Sequence, residues 1–146
     1  MTTDLHQLLA DLFAVSHRLT RAAARAAGGK ESPAVWRTLS VLSSTGAVRL
    51  GELAEQSRVS QPTATNLVAT LAARGWVNRR TDAADGRATV IENTPAGEEA
   101  LATWRSELAT AMLPLFAGLP ESDLATLERA VTIMQERVVN ERGTTT

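Results

Sequence analysis

Apolar residues recur along this chain at steps of three and four, the spacing that lines one face of an α-helix. Leu5, Leu8, Leu12, Val15 and Leu19, continuing through Ala22 and Ala26, predict a first helix from about Asp4 to Ala26, ended by Gly28-Gly29. Ser32 then Pro33 read as an N-cap and first helical residue, because a hydroxyl can accept an orphan amide hydrogen and proline at that place wastes none. This second helix turns Val35, Trp36, Leu39 and Leu42 inward and ends near Gly46. Ala47-Val48-Arg49 is enough for only a scrap of strand, and Gly51 to Ser57 predict a brief helix with Leu53 and Ala54 as its apolar side. After a turn at Arg58-Val59, Ser60 caps a helix with Pro62 in its first turn. Ala64, Leu67, Val68 and Leu71 form its core face, its other side is polar, and Gly75 stops it.

The pattern then changes. Trp76 to Arg80 and Ala88 to Glu92 are aromatic or β-branched runs on either side of the turn-rich stretch Asp82 to Gly86, which predicts a hairpin. Thr94-Pro95 repeats the cap-then-proline signal, Glu98 and Glu99 sit where the helix dipole favours negative charge, and Leu101, Trp104, Leu108, Met112 and Leu115 line the helix beyond. Pro114 and Gly118-Leu119-Pro120 are expected to break it. Leu124, Leu127, Val131, Met134 and Val138 then form a short heptad-like seam on a last helix, followed by a polar tail from Gly143 to Thr146. The reading is a mainly α chain with a small antiparallel β-wing, a single domain over residues 1–146 with no internal repeat.

Composition narrows what such a chain does. With 44% apolar and 21% charged residues it is an ordinary globular sequence, and its 146 residues leave no room for a separate catalytic module. No apolar run approaches the ~20 residues a membrane-spanning helix needs, and the N-terminal stretch lacks a signal peptide's cationic end and apolar core, so a soluble, cytoplasmic protein with no membrane partner is expected. The absence of cysteine excludes disulfides and thiol chemistry, and two histidines, His6 and His17, are thin material for a metal site. No Ser-His-acid set, phosphate loop or metal cluster can be assembled, so a small hydrolase or transferase is disfavoured, and neither catalytic residues nor cofactors are expected. Charge is uneven: from Pro33 to Gly97 seven arginines outnumber five acids, and from Glu98 to Thr146 eight acids outnumber four arginines. The middle is therefore the part suited to a polyanion, although a solvated surface would look the same.

That middle contains a tight helix-turn-helix. A DNA-reading second helix needs short polar residues free of core duty at its N-terminal end, and here they are Ser60, Gln61, Pro62, Thr63, Thr65 and Asn66. Gln and Asn can bond adenine bidentately, and Ser and Thr can bond bases or phosphates, so the set suits a major groove; a solvated helix face is the competing reading. The ribbon adds Arg79, Arg80 and Arg87, the last at a loop tip able to enter a minor groove.

The run from Leu53 to Val68, then Leu71, Arg74-Gly75-Trp76-Val77, Asp85-Gly86-Arg87 and Thr94-Pro95-Ala96-Gly97, resembles the winged helix-turn-helix regulators of the MarR type. The resemblance covers nearly the whole chain. It implies a DNA-binding lobe at residues 33–97, dimerisation helices at 4–27 and 95–141, and a homodimer that binds a pseudo-palindromic operator in double-stranded DNA, more as repressor than activator. It also implies that Arg87 reaches into the minor groove while Asp85 orients it by a charge-assisted pair. Small aromatic or lipophilic effectors of the family bring Phe13, His17, Trp36 and Trp104 into consideration; core or dimer packing is the alternative for the aromatics, and a solvent-facing place for His17. Three positions depart from the pattern: Arg58 stands where such motifs often have glycine, implying a less regular turn, Asn66 where many members have arginine, and Asn93 where the family has leucine before Thr94. A winged helix that binds proteins and never reads DNA is the rival function.

Overall fold

The computed structural model describes residues 2–141, so the tail from Gly143 to Thr146 lies outside the described residues. The elements follow the order α1 (Leu5–Ala27), α2 (Pro33–Thr45), β1 (Val48–Arg49), α3 (Leu50–Ser57), α4 (Gln61–Ala73), β2 (Val77–Thr81), β3 (Thr89–Asn93), α5 (Pro95–Phe116) and α6 (Glu121–Glu141). The fold is mainly α with a small antiparallel sheet, as the pattern predicts. Two compact units meet at Ala111 and Met112, a boundary inside α5.

The caps account for most of the boundaries. Asp4 accepts the His6 amide hydrogen at 3.0 Å, and Gly28 closes α1 in the left-handed conformation at φ 65°. Ser32 occupies its expected cap position, but its side chain makes no capping bond; its carbonyl accepts from Val35 instead, and Pro33, which has no N–H, needs no partner. At the end of α4 the Trp76 amide bonds back to the Leu71 carbonyl at 3.0 Å while Gly75 takes φ 76°. Trp76 is thereby spent on the helix terminus, which is why β2 begins one residue later than the apolar run suggests. Pro114 does not break α5: it sits in the last turn, where only two residues follow it, and the helix runs to Phe116 before Gly118 turns at φ 80°.

The scrap of strand becomes a full member of the sheet, whose order is β1-β3-β2, all antiparallel. Val48 pairs with Ile91, and the hairpin runs from Val77 opposite Asn93 to Thr81 opposite Thr89. Against this sheet α2, α3 and α4 bury Leu39, Leu42, Leu53, Val68 and Leu71, with Val77, Ile91 and Leu101 closing the core. The start of α5 is seated by Thr94, whose hydroxyl donates to the Gly75 carbonyl and accepts the Gly97 amide hydrogen at 3.1 Å. A Cβ at Gly97 would lie 2.1 Å from the Trp76 carbonyl oxygen, so only glycine allows this approach.

The terminal helices differ. Of the 23 residues of α1 only Ala23 is fully buried, while Leu5, Leu8, Phe13 and Val15 are exposed. The predicted seam on α6 exists as a stripe, with Leu124, Leu127, Val131, Met134 and Val138 all open to solvent. No helix among the described residues is long and apolar enough to cross a membrane.

Candidate nucleic-acid interface

The turn into α4 is built around an unusual residue. Arg58 ends α3 at φ 58° and ψ 43°, the left-handed region, and is the one non-glycine residue with positive φ among those described. Its amide donates to the Glu55 carbonyl at 3.2 Å and that of Val59 to the Ala54 carbonyl at 3.1 Å. The turn is therefore as regular as a glycine would make it, with arginine carrying the strain, and not the looser turn that the substitution implied.

Ser60 caps α4. Its Oγ accepts the Thr63 amide hydrogen at 3.2 Å and donates to the Thr63 hydroxyl at 2.8 Å, while the Thr65 hydroxyl donates to the Gln61 carbonyl at 3.0 Å. The six predicted residues thus divide by duty. Ser60 and Thr63 hold the helix end, Thr65 is partly committed to its own backbone, and Pro62 shapes the first turn. Gln61 and Asn66 are exposed and make no side-chain hydrogen bond among the described residues, so their amides keep full donor and acceptor capacity.

The wing is held more firmly than its sequence suggests. Arg49 Nε and Nη2 both donate to Asp82 Oδ2, at 3.0 and 2.8 Å, reaching from edge strand β1 past β3 to the end of β2. The Ala84 amide donates to Asp82 Oδ1 at 2.9 Å. That backbone bond and then the Arg49 guanidinium hold the Asp82 carboxyl below its ordinary pKa. Asp85 acts through the backbone too: Oδ1 accepts the Arg87 amide hydrogen at 3.1 Å, and no ion pair with the Arg87 guanidinium is present among the described residues. An aspartate two residues before a tight tip reaches the amide more easily than a long side chain directed outward, so the expected charge-assisted pair gives way to an Asx turn. Arg80 lies 3.5 Å from Glu92, leaving Arg79 and Arg87 as the ribbon arginines without an acidic partner among the described residues. Gln61 and Arg87 line one cleft of about 420 Å³ with Arg49, Leu50 and Thr89, so the helix start and the wing tip border a common groove.

A second feature lies away from this groove. Trp36 stacks on Trp104 at 4.9 Å between centroids and 8° between planes, and on Trp76 at 5.9 Å and 26°. The Arg74 guanidinium caps the Trp76 ring at 5.0 Å and pairs with Glu31. Trp36 and Trp104 also wall a cleft of about 570 Å³ that His17, Arg21, Arg25 and Arg37 line. His17, Trp36 and Trp104 line this one cleft, whereas Phe13, one helical turn or about 6 Å before His17, lies outside it and is exposed. Sequence reasoning missed Arg37, whose Nη1 donates to the Ser57 carbonyl at 3.1 Å, and Asn93. The Asn93 amide donates to the Leu39 carbonyl and to Glu98, both at 3.0 Å, and Glu98 accepts from Ser43 at 2.9 Å, so a polar bridge stands where the family has leucine. The departure at Asn93 was visible in the sequence, but its bond to the Leu39 carbonyl, 54 residues away, was not.

Comparison with known proteins places this geometry. Residues 32–89 match the sequence model of the MarR family. No curated protein matches the chain significantly. Among solved structures, the transcriptional regulator Tm0710 from Thermotoga maritima superposes with a TM-score of 0.71 at 20% identity, over 95% of this chain and 99% of that one. Wild-type MarR from E. coli in its apo form gives 0.67 at 18% identity, over 92% and 98%. BpsR from Bordetella bronchiseptica, described by the regulation of its DNA binding by 6-hydroxynicotinic acid, gives 0.56 at 20% identity, over 90% and 93%.

Proposed function

We propose that this MarR-family winged-helix protein is a sequence-specific transcriptional regulator, a repressor, that grips a pseudo-palindromic operator as a homodimer. The observation that carries the reading is the common groove bordered by Gln61, with its amide uncommitted, and Arg87, with its charge unpaired among the described residues. Gln61 and Asn66 read base edges in the major groove, and Arg87 supplies charge to the minor groove. Residues 33–97 act as the DNA-binding lobe, and the stretches 4–27 and 95–141 supply the dimer contact, for which the apolar stripes on α1 and α6 are suited. Selection of bound sequences from random duplex DNA tests this: enrichment of a two-fold related site is expected, and recovery of no preferred sequence favours the winged helix as a protein-binding module. Sedimentation at micromolar concentration is expected to give the mass of a dimer.

The effector is read from the second cleft. Indole walls and a lining rich in arginine suit an aromatic carboxylate or phenol, the class to which the 6-hydroxynicotinic acid of BpsR belongs. Such a ligand is expected to quench tryptophan emission and weaken operator binding, and by linkage the operator weakens the ligand equally, by ~1–3 kcal/mol. A compound that quenches without changing DNA affinity would demote the cleft to an incidental cavity.

A further inference from the structure

We infer that Arg37 is a positioning residue that couples the tryptophan-walled cleft to the helix-turn-helix, and that an anion in the cleft weakens DNA binding by drawing its guanidinium off the Ser57 carbonyl. The inference rests on the effector reading above. Arg37 belongs to both places: it lines the cleft, and its Nη1 donates to the Ser57 carbonyl at 3.1 Å. Ser57 is the last residue of α3, so that carbonyl is one of the helix's orphan acceptors and Arg37 satisfies it. The site is sensitive to the loss. Ser57 is 1% exposed, so water has little access, and the next residue is Arg58 in its left-handed conformation. Two residues further on, Ser60 starts the recognition helix. Arg37 therefore supports the chain where a strained residue aims that helix.

The cleft supplies the competitor. Its lining carries Arg21 and Arg25 beside Arg37, and its one acid, Glu31, is already paired with Arg74. A carboxylate carries a full negative charge and can accept two parallel N–H bonds from a guanidinium, where the Ser57 carbonyl offers one neutral oxygen, so a carboxylate held against the indoles takes Arg37 in preference to Ser57. The Ser57 carbonyl then loses its donor, the Arg58 turn loses its support, and the recognition helix is free to shift. One element is thus biased from both sites, which reciprocal coupling requires.

The test uses the full chain, an operator obtained by selection, and benzoate as the probe. It reads operator affinity, tryptophan quenching, and hydrogen exchange at the Arg58 and Val59 amides, with Ile91 as a core reference. In the wild type, benzoate is expected to quench emission, lower operator affinity roughly tenfold and speed exchange at both turn amides to a similar degree. Arg37→Met without benzoate is expected to show the same weak binding and fast exchange, with Ile91 still protected, and benzoate should add nothing; Arg37→Lys, which keeps a donor, should recover most of the affinity. Normal DNA binding and protected turn amides in Arg37→Met would overturn the inference whatever becomes of the effector. So would equal release by benzoate in wild type and Arg37→Met, a result that leaves the effector reading standing. Loss of protection at Ile91 as well reduces Arg37 to a general stabiliser and also overturns it. If benzoate neither quenches nor releases the wild type, the effector reading fails and takes the coupling with it.

Discussion

Leu39, Leu53, Leu71 and Ile91 in the winged-helix lobe have no solvent exposure, while Leu124, Leu127, Val131 and Val138 on α6 are each about half exposed and Leu5 and Phe13 on α1 more so. The helical residues of both sets recur with the period of a helix, so the sequence pattern treats them alike. What separates them is burial, since the first set lies against other apolar surfaces and the second is open to water. In the lobe three helices and a sheet converge from different directions, and each removes the others' apolar area from water. The stripes on α1 and α6 are exposed, and apolar faces of that length are the physical basis for expecting a dimer.

The sharpest break of this comparison is a pair of truncations. Leu39→Ala should cost ~2–5 kcal/mol at any protein concentration, because it opens a cavity in a closed core. Leu127→Ala should leave the unfolding of dilute monomer nearly unchanged and instead raise the dimer dissociation constant. Urea denaturation over a wide concentration range distinguishes them, and equal losses in dilute samples would show that α6 is already covered within one chain.

Within the lobe the contrast continues between α4, proposed to read bases, and the wing. Gln61→Ala or Asn66→Ala should lose roughly 1–3 kcal/mol on the operator for each base it reads, with random DNA little affected. Arg87→Ala should weaken both and flatten the salt dependence by about 0.9 in slope for each phosphate it no longer neutralises. Titrations of operator and scrambled duplex at several salt concentrations decide, and an unchanged slope for Arg87→Ala removes the wing from the interface.

Smaller effects probe the turn before α4 and the turn at the end of β2. An arginine at φ 58° carries a cost of ~1–2 kcal/mol that glycine avoids, and glycine's extra freedom when unfolded returns ~0.5–1, so Arg58→Gly should stabilise the chain by about 0.5 kcal/mol. A destabilised variant in equilibrium denaturation would mean that the arginine side chain makes good its strain. At the wing, the Asp82 carboxyl titrates below its ordinary value, so its stabilisation is present above a pH of about 3.9 and is lost as the pH falls through the lower folded value. Amide exchange at Ala84 should accelerate over that acid range in the wild type and much less so in Asp82→Asn, which cannot titrate. Identical acid profiles would release Asp82 from this role.

The parts of this molecule that were legible in its sequence are those decided over a few residues. The stripe of α1, the Ser60 cap with its bond to Thr63, the Gly75 stop and the polar start of α4 depend on neighbours within one helical turn, where spacing and residue type suffice. The hairpin was found for the same reason, and its edges moved by one residue because Trp76 was claimed by the preceding helix end. The candidate site was legible only in part. Gln61, Asn66 and Arg87 stood out as polar residues without core duty, but the Arg49–Asp82 clasp joins residues 33 apart and the Arg37–Ser57 bond residues 20 apart.

Sequence alone determined the helices, the hairpin, the polar start of α4 and the likeness to a family, because periodicity, caps and turn residues act locally and repeat from protein to protein. Tertiary structure decided which stripes are buried, that β1 completes the sheet, that Asp85 holds a backbone amide and not a guanidinium, and that three tryptophans drawn from α2, the end of α4 and α5 stack together. Those outcomes depend on which of several chemically adequate partners arrives within about 3–4 Å, and only the packing of distant segments sets that distance.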